Sequence, residues 1–230
     1  MKETVKTKLL RDEIFFQKYF SGKVLDIGCG DNKITNEAEP FDIEHGDANK
    51  ILDYLKKSSY DTVHSSHCLE HMFDPKKTIQ DWFELVKPEG YLVTVVPEEE
   101  RYEQGIWPPY FNLDHKHTFS VGEFEKDKSR THNVYELFSC LKNAEIVSIN
   151  VQNLNYDESL KFPKEKKPIR PNLITKIMLK LFYTFGNILP KKIRNKLATL
   201  LIYFNIPVDQ TMFDAVAQIE IIVKKLPEKV

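Results

Sequence analysis

Apolar and polar positions change period several times along the chain, and each change marks an element. Over residues 5–20, Leu9, Leu10, Ile14, Phe15 and Tyr19 recur at helical spacing, which predicts a leading amphipathic helix stopped at Ser21-Gly22. Lys23 to Ile27 is a short apolar run ending in a Gly-rich turn, the pattern of a buried strand. Phe41 to Glu44 reads as a second, very short strand and Tyr60 to Ser66 as a third. Asp74-Pro75 is a helix start, because Asp caps backbone N–H groups and Pro at the first helical position loses no hydrogen bond. That helix is expected to run to about Lys87, where Pro88-Glu89-Gly90 stops it, and Val-rich Tyr91 to Val96 follows as a strand. Asn133 to Leu141 is helical again, Glu145 to Val151 alternates as a strand, and Ala217 to Val223 is the last strand. Strands alternating with helices predict an α/β fold, a doubly wound parallel sheet covered on both faces and finished by an antiparallel edge.

Two stretches depart from this rhythm. Residues 98–118 have no clear period but hold Tyr102, Trp107, Tyr110, Phe111, His115 and His117, and a long aromatic loop of this kind is usually functional. Residues 154–209 separate the last two strands as an insertion, which opens on a Pro- and Lys-rich linker from Lys161 to Pro171. Leu173, Ile174, Ile177, Met178, Leu181, Phe182 and Phe185 then form an apolar helical stripe opposite Lys176 and Lys180. A second helix sets Ile193, Leu197, Leu200, Leu201 and Phe204 against Lys191, Lys192, Arg194 and Lys196. The expected organisation is one domain over 1–230, with its core in 21–153 and 210–227.

Charge sharpens the picture of that insertion. The whole chain carries a net charge of −1, yet Lys161 to Phe204 holds eleven Lys or Arg against Glu165 alone, leaving −11 for the rest. Such asymmetry points to an anionic partner or a membrane surface. Three readings follow for residues 172–204: a helical lid or homodimer contact, peripheral attachment to an anionic membrane, or nucleic acid, the last disfavoured because no recognition motif accompanies the charge. The three cysteines are odd in number and widely spaced, which supports neither a disulfide framework nor a zinc cluster. The first residues lack the apolar core of a signal peptide, and no run reaches the roughly 18 apolar residues that span a bilayer. A reduced, cytoplasmic protein is expected, with the inner membrane face as its peripheral site if the insertion binds lipid.

The motif with the most chemical content is Val24-Leu25-Asp26-Ile27-Gly28-Cys29-Gly30. A strand running straight into Gly-x-Gly lets backbone come close to a nucleotide-like ligand. Dinucleotide folds want a third Gly three residues after the second, where this chain has Lys33, and an acid about twenty residues downstream. Here an acid instead precedes the first Gly by two residues. In Phe41-Asp42-Ile43-Glu44-His45-Gly46-Asp47-Ala48, an acid at the end of a second strand can accept both hydroxyls of a ribose. Asp42 is the first choice for that contact and Glu44 the second.

The acid-first turn resembles motif I of class I S-adenosylmethionine-dependent methyltransferases. Tyr60-Asp61-Thr62-Val63-His64-Ser65-Ser66-His67-Cys68-Leu69-Glu70-His71-Met72, with Asp74-Pro75, Trp82 and Leu85 to Leu92, resembles the type 11 group of that family. The resemblance covers residues 23–118 and returns at Asp209 to Lys225. It implies a Rossmann-like sheet of about seven strands and S-adenosylmethionine as cofactor. It also implies that Asp26, Gly28 and Gly30 hold the methionine end, that Asp47-Ala48 reads the adenine, and that Ser66 and His67 line the pocket. The chain departs from the pattern at Asn32 and at Glu89, where the family has Gly, and almost no helix fits between Gly30 and Pro40.

In the aromatic loop, His115 is a candidate general base, with adjacent Asp114 to orient it. Arg101, Tyr102, Trp107, Lys116 and His117 are candidate substrate contacts, the cations suiting an anionic group. His115-x-His117 offers no third ligand at helical spacing, so no metal is expected, and His64 and His71 read as packing or strand-end residues. The function implied is O-methylation of a small or carbohydrate-like acceptor, of the sort met in surface-polysaccharide synthesis. The alternatives are a nicotinamide-dependent oxidoreductase, which Asp26 and the missing third Gly oppose, and a non-catalytic binding protein that keeps the fold.

Overall fold

The computed structural model describes residues 3–122, 130–170 and 172–227. Pro171, the last residue of the linker, lies outside them. Strands β1 (Val24–Ile27), β2 (Glu39–Phe41), β3 (Tyr60–Ser66), β4 (Val86–Pro97), β7 (Ala144–Gln152) and β8 (Gln218–Lys225) form one sheet in the order β2-β1-β3-β4-β8-β7. The first four are parallel, and β8 runs antiparallel to both its neighbours. The last strand is thus antiparallel as expected, but it lies inside the sheet and β7 forms the edge. Two short strands, β5 (Thr118–Ser120) and β6 (Thr131–Asn133), make a separate parallel pair.

The main sheet has six strands among the described residues rather than about seven. It stops at β2 because the next segment carries turn formers. Gly46, Asp47 and Asn49 lead into a 3₁₀ turn over Ala48–Asp53, capped by the Asp47 side chain. That turn is tied to α3 (Pro75–Glu84) by the fully buried Trp82, whose indole N–H donates to the Ala48 carbonyl at 3.1 Å.

Both faces of the sheet are covered. On one, Ile79, Trp82 and Phe83 of α3 and Val134 and Phe138 of α4 (Val134–Ser139) pack on Leu25, Ile27, Val63, Leu92 and Ile221. On the other, Phe15, Phe16, Tyr19 and Phe20 pack on Val24, Val93 and Ile222. The leading helix is two helices, α1 (Glu3–Leu9) and α2 (Glu13–Tyr19), because Asp12 accepts the Phe15 N–H at 2.8 Å and starts a new one. The break lets Arg11 turn inward to Glu220 on β8, at 2.8 Å. Helix α3 stops at Glu84, short of Lys87, since Val86 already pairs with Tyr60 and the Pro88-Glu89-Gly90 segment bulges out of β4.

The insertion folds as α5 (Leu173–Gly186) and α6 (Lys191–Tyr203). Phe182, Ala198, Leu201 and Ile202 pack with Leu160, Phe162, Ile106, Tyr110 and Phe213 into a second apolar core that includes the aromatic loop. The outer stripe of α5 is uncovered, with Leu173 at 75% and Ile174 at 68% exposure. No described helix is long and apolar enough to cross a membrane.

Candidate active site

The parallel strands deliver their chemistry-bearing residues to the carboxyl edge of the sheet, where open α/β folds bind ligands. Leaving β1, Gly28 (φ +73°) and Gly30 (φ +52°) take the left-handed conformation that favours glycine. A Cβ on Gly28 would stand 2.8 Å from the Cys68 Cβ, so the turn after β1 and the turn after β3 touch. A Cβ on Gly30 would meet nothing within 4 Å, so the turn is open on that side. Between Gly30 and β2 the chain forms turns and irregular backbone with no helix.

Asp26 is 1% exposed and both its oxygens have donors: the Ile34 N–H at 2.6 Å and His64 Nδ1 at 2.7 Å. The Arg11 guanidinium donates to His64 Nε2 at 3.3 Å and binds Glu220. Burial pushes the His64 imidazole down, so it stays neutral between its two charged neighbours. Asp26 therefore braces the Ile34 loop. Asp42 accepts the Gly30 N–H at 2.7 Å and the Ile43 N–H at 2.7 Å, joining the end of β2 to the glycine turn. Asp47 accepts from Asn49 through both backbone and side chain, which holds its carboxyl below the ordinary value, and lies in a groove with Asn49, Phe73 and Lys77. Glu44 points to solvent beside His45 and is not brought to the turn.

At the end of β3, Ser66 is buried and its hydroxyl has no hydrogen-bond partner among the described residues. His67 (φ +53°) donates from Nε2 to Gln218 Oε1 at 3.0 Å. Glu70 follows in a 3₁₀ turn, fully buried, with neither carboxylate oxygen hydrogen-bonded. Three imidazoles stand around its Oε1: His67 Nδ1 at 3.6 Å, His115 Nε2 at 3.8 Å and His71 Nε2 at 4.0 Å. The aromatic loop is fixed to this turn by the Lys116 and His117 N–H groups, which donate to the Glu70 carbonyl at 2.9 and 3.2 Å.

His115 is buried, with Nδ1 donating to Glu103 Oε1 at 2.5 Å and the Tyr102 ring stacked on it at 5.3 Å. Burial pushes the Glu103 carboxyl up, against the pull of His115. The partner expected from the sequence was Asp114. Its carboxylate is exposed, because consecutive side chains on an extended turn point apart, and only its carbonyl takes part, accepting from His71 Nδ1 at 3.2 Å. The other loop candidates face protein partners. Arg101 pairs with Glu98 at 3.1 Å and Glu158 at 2.6 Å, Lys116 donates to the His71 carbonyl at 2.5 Å, and Arg130 covers the Trp107 ring at 4.4 Å. His117 Nε2 donates to the Phe73 carbonyl at 3.3 Å and Nδ1 accepts from His132, which burial and His117 push down to about 4. Glu70 and Glu103 were not singled out from sequence, and His71 was expected only to pack; Glu103 follows the acids Glu98, Glu99 and Glu100, where no spacing distinguishes it.

A doubly wound sheet with an acid-braced glycine turn after its first strand and a second acid bonded to that turn has the fold of a class I S-adenosylmethionine-dependent methyltransferase. Residues 6–127 match the model of a family described as a methyltransferase domain, and the chain belongs to that family. It is a methyltransferase with S-adenosylmethionine as cofactor, in place of the nicotinamide-dependent and non-catalytic alternatives. An S-adenosylmethionine-dependent methyltransferase from Archaeoglobus fulgidus is similar in structure, with 17% identity, TM-score 0.51, and 97% of this chain and 94% of that one covered. A chain from the complex between the Haloferax volcanii Trm112 methyltransferase activator and its methyltransferase shares 15% identity at TM-score 0.50, covering 97% and 89%. At these identities the likeness is one of fold. No curated protein matches the chain in sequence.

Proposed function

We propose that the chain methylates a hydroxyl oxygen of a small or carbohydrate-like acceptor, of the kind used in surface-polysaccharide synthesis. S-Adenosylmethionine, when bound, supplies a methyl group carried on a sulfonium. Asp26, Gly28 and Gly30 hold its methionine end, Asp42 its ribose, Asp47 and Ala48 its adenine, and Ser66 and His67 line the pocket between. The reading rests on one observation: Cys68 lies against Gly28, so the turn bearing Glu70 and His71 opens beside the glycine turn. An acceptor oxygen placed there faces a buried acidic and imidazole centre, whose His115 ring is held by the stacked Tyr102 ring. His115 is 2% exposed at its side chain and turns Nε2 to Glu70, so it holds this centre and does not itself reach the acceptor. Rate enhancement then comes chiefly from positioning. Incubation with methyl-labelled cofactor and panels of sugars, nucleotide sugars and sugar phosphates tests this. Label recovered as a methyl ether supports the reading; label found only on nitrogen overturns it.

A second observation concerns location. Leu173, Ile174, Ile177, Leu181 and Phe185 form an exposed stripe on α5, which also carries exposed Lys176 and Lys180, and Lys191, Lys192 and Lys196 are exposed on α6. Two such faces repel one another in a homodimer, whereas an anionic bilayer matches both stripe and charge. We assign this face to peripheral attachment at an anionic membrane. Sedimentation with anionic but not neutral vesicles, released by salt and lost when Lys191, Lys192 and Lys196 become Glu, is expected. Equal recovery on both vesicle types overturns it. Arg194 is unsuited to this test because it pairs with Asp214 and covers Phe213.

A further inference from the structure

We propose that Glu70, His71 and His115 form a binding site for a divalent transition-metal ion. One ligand atom from each lies within 4.8 Å of the other two. The case begins with which nitrogen of each ring carries hydrogen. His115 donates from Nδ1 to the Glu103 carboxylate and His71 donates from Nδ1 to the Asp114 carbonyl. Both rings therefore present a lone pair at Nε2, and both Nε2 atoms face Glu70 Oε1, at 3.8 and 4.0 Å. Ligating histidines are oriented in this way, with the distal N–H tied to a carboxylate or carbonyl.

The centre as it stands holds acceptors facing acceptors. Glu70 is fully buried with no hydrogen bond to either oxygen, and an unpaired buried carboxylate is costly. His115 and His71 stand off from it at 3.8 and 4.0 Å, too far for a hydrogen bond. Ligands about 2.1 Å from a shared ion lie about 3.4 Å apart at tetrahedral angles and up to about 4.2 Å when opposite. The two Oε1–Nε2 separations fall in that range, and the pair of Nε2 atoms, within 4.8 Å of each other, has to draw together by roughly half an ångström or more to share an ion. His115-x-His117 supplied no third ligand in sequence because His117 is not one; it turns away to His132, and Glu70 and His71 complete the set from the turn after β3.

Two imidazole nitrogens and one carboxylate oxygen select zinc, iron(II), manganese or cobalt over the all-oxygen ions magnesium and calcium. Three protein ligands leave a position for an outside oxygen. His71, with 30% of its side chain exposed, marks the open side. On the function proposed above, that position takes the acceptor hydroxyl and lowers its pKa. The hydroxyl proton goes to water, the O–CH₃ bond forms as the S–CH₃ bond breaks, its electron pair stays on sulfur as S-adenosylhomocysteine, and the ion is unchanged.

The test needs neither cofactor nor acceptor, so its failure is distinct from failure of the O-methylation reading. Chelator-stripped full chain is titrated with cobalt(II) and with zinc, followed by the cobalt visible spectrum and by calorimetry. One ion per chain is expected, with binding lost in His71→Ala and Glu70→Gln and weakened about 10–100-fold in Glu103→Gln, which keeps the side-chain shape. Wild-type protein that binds no ion, or binding unchanged in all three folded variants, overturns the site.

Discussion

Two buried carboxylate–imidazole networks lie at neighbouring strand ends, and they are built alike except for one component. In the first, Asp26 and Glu220 are joined through His64 and Arg11, so a guanidinium stands among the carboxylates. In the second, Glu70 and Glu103 are joined through His115, and neither carboxylate has a Lys or Arg ion pair among the described residues. The first is a closed structural device under the cofactor turn. The second has no Lys or Arg partner among the described residues, and on the function proposed above it faces the acceptor. The difference suggests that burial of charge serves shape in one network and reactivity in the other.

Removing the resident cation should produce the largest effect. Arg11→Met leaves Glu220 buried without its partner and should cost about 3–5 kcal/mol in denaturant unfolding. A loss under about 1 kcal/mol would mean that the first network is not held by charge. In the second network, Glu103→Gln should lower turnover about 10–100-fold by loosening His115. Asp114→Asn, altering an exposed carboxylate, should change it less than about twofold; the reverse order would restore Asp114 as the orienting acid. In metal-stripped protein, Glu70→Gln should raise stability by about 1 kcal/mol, because a neutral amide is cheaper to bury than an unpaired carboxylate. A drop in the melting temperature would show that Glu70 is already paired. The smallest effect lies outside both networks. Glu89 sits at φ +68°, where the family has Gly, pinned by Lys224 at 2.6 Å. Glu89→Gly should be neutral to stabilising, by up to about 1 kcal/mol.

The same contrast explains how far the sequence could be read. The α/β order, the Tyr60 to Ser66 strand, the helix start at Asp74-Pro75 and the two insertion helices follow from local period and capping, and the structure has them all. Gly28 and Gly30 are recognisable because their backbone requirement is local. Arg11 and Glu220 are not, since they meet across 209 residues, and nothing in either neighbourhood signals the other. Glu103 and His115 are only twelve residues apart, but the intervening loop is irregular, and adjacency in sequence favoured Asp114. The edge beyond β2 failed for another reason: a family resemblance supplied a strand that the Gly46 to Asn49 turn chemistry forbids.

The central claim is a division of labour, the Asp26 network serving the cofactor and the Glu70 centre the acceptor. Calorimetric titration of Asp26→Asn and Glu70→Gln with S-adenosylhomocysteine, with turnover measured on the same folded preparations, tests it most directly. The account predicts that Asp26→Asn loses at least about tenfold in affinity, as expected when a charge partner is removed. Glu70→Gln should bind within about twofold of wild type while turnover falls about 100-fold or more. Affinity lost in Glu70→Gln and kept in Asp26→Asn would contradict it.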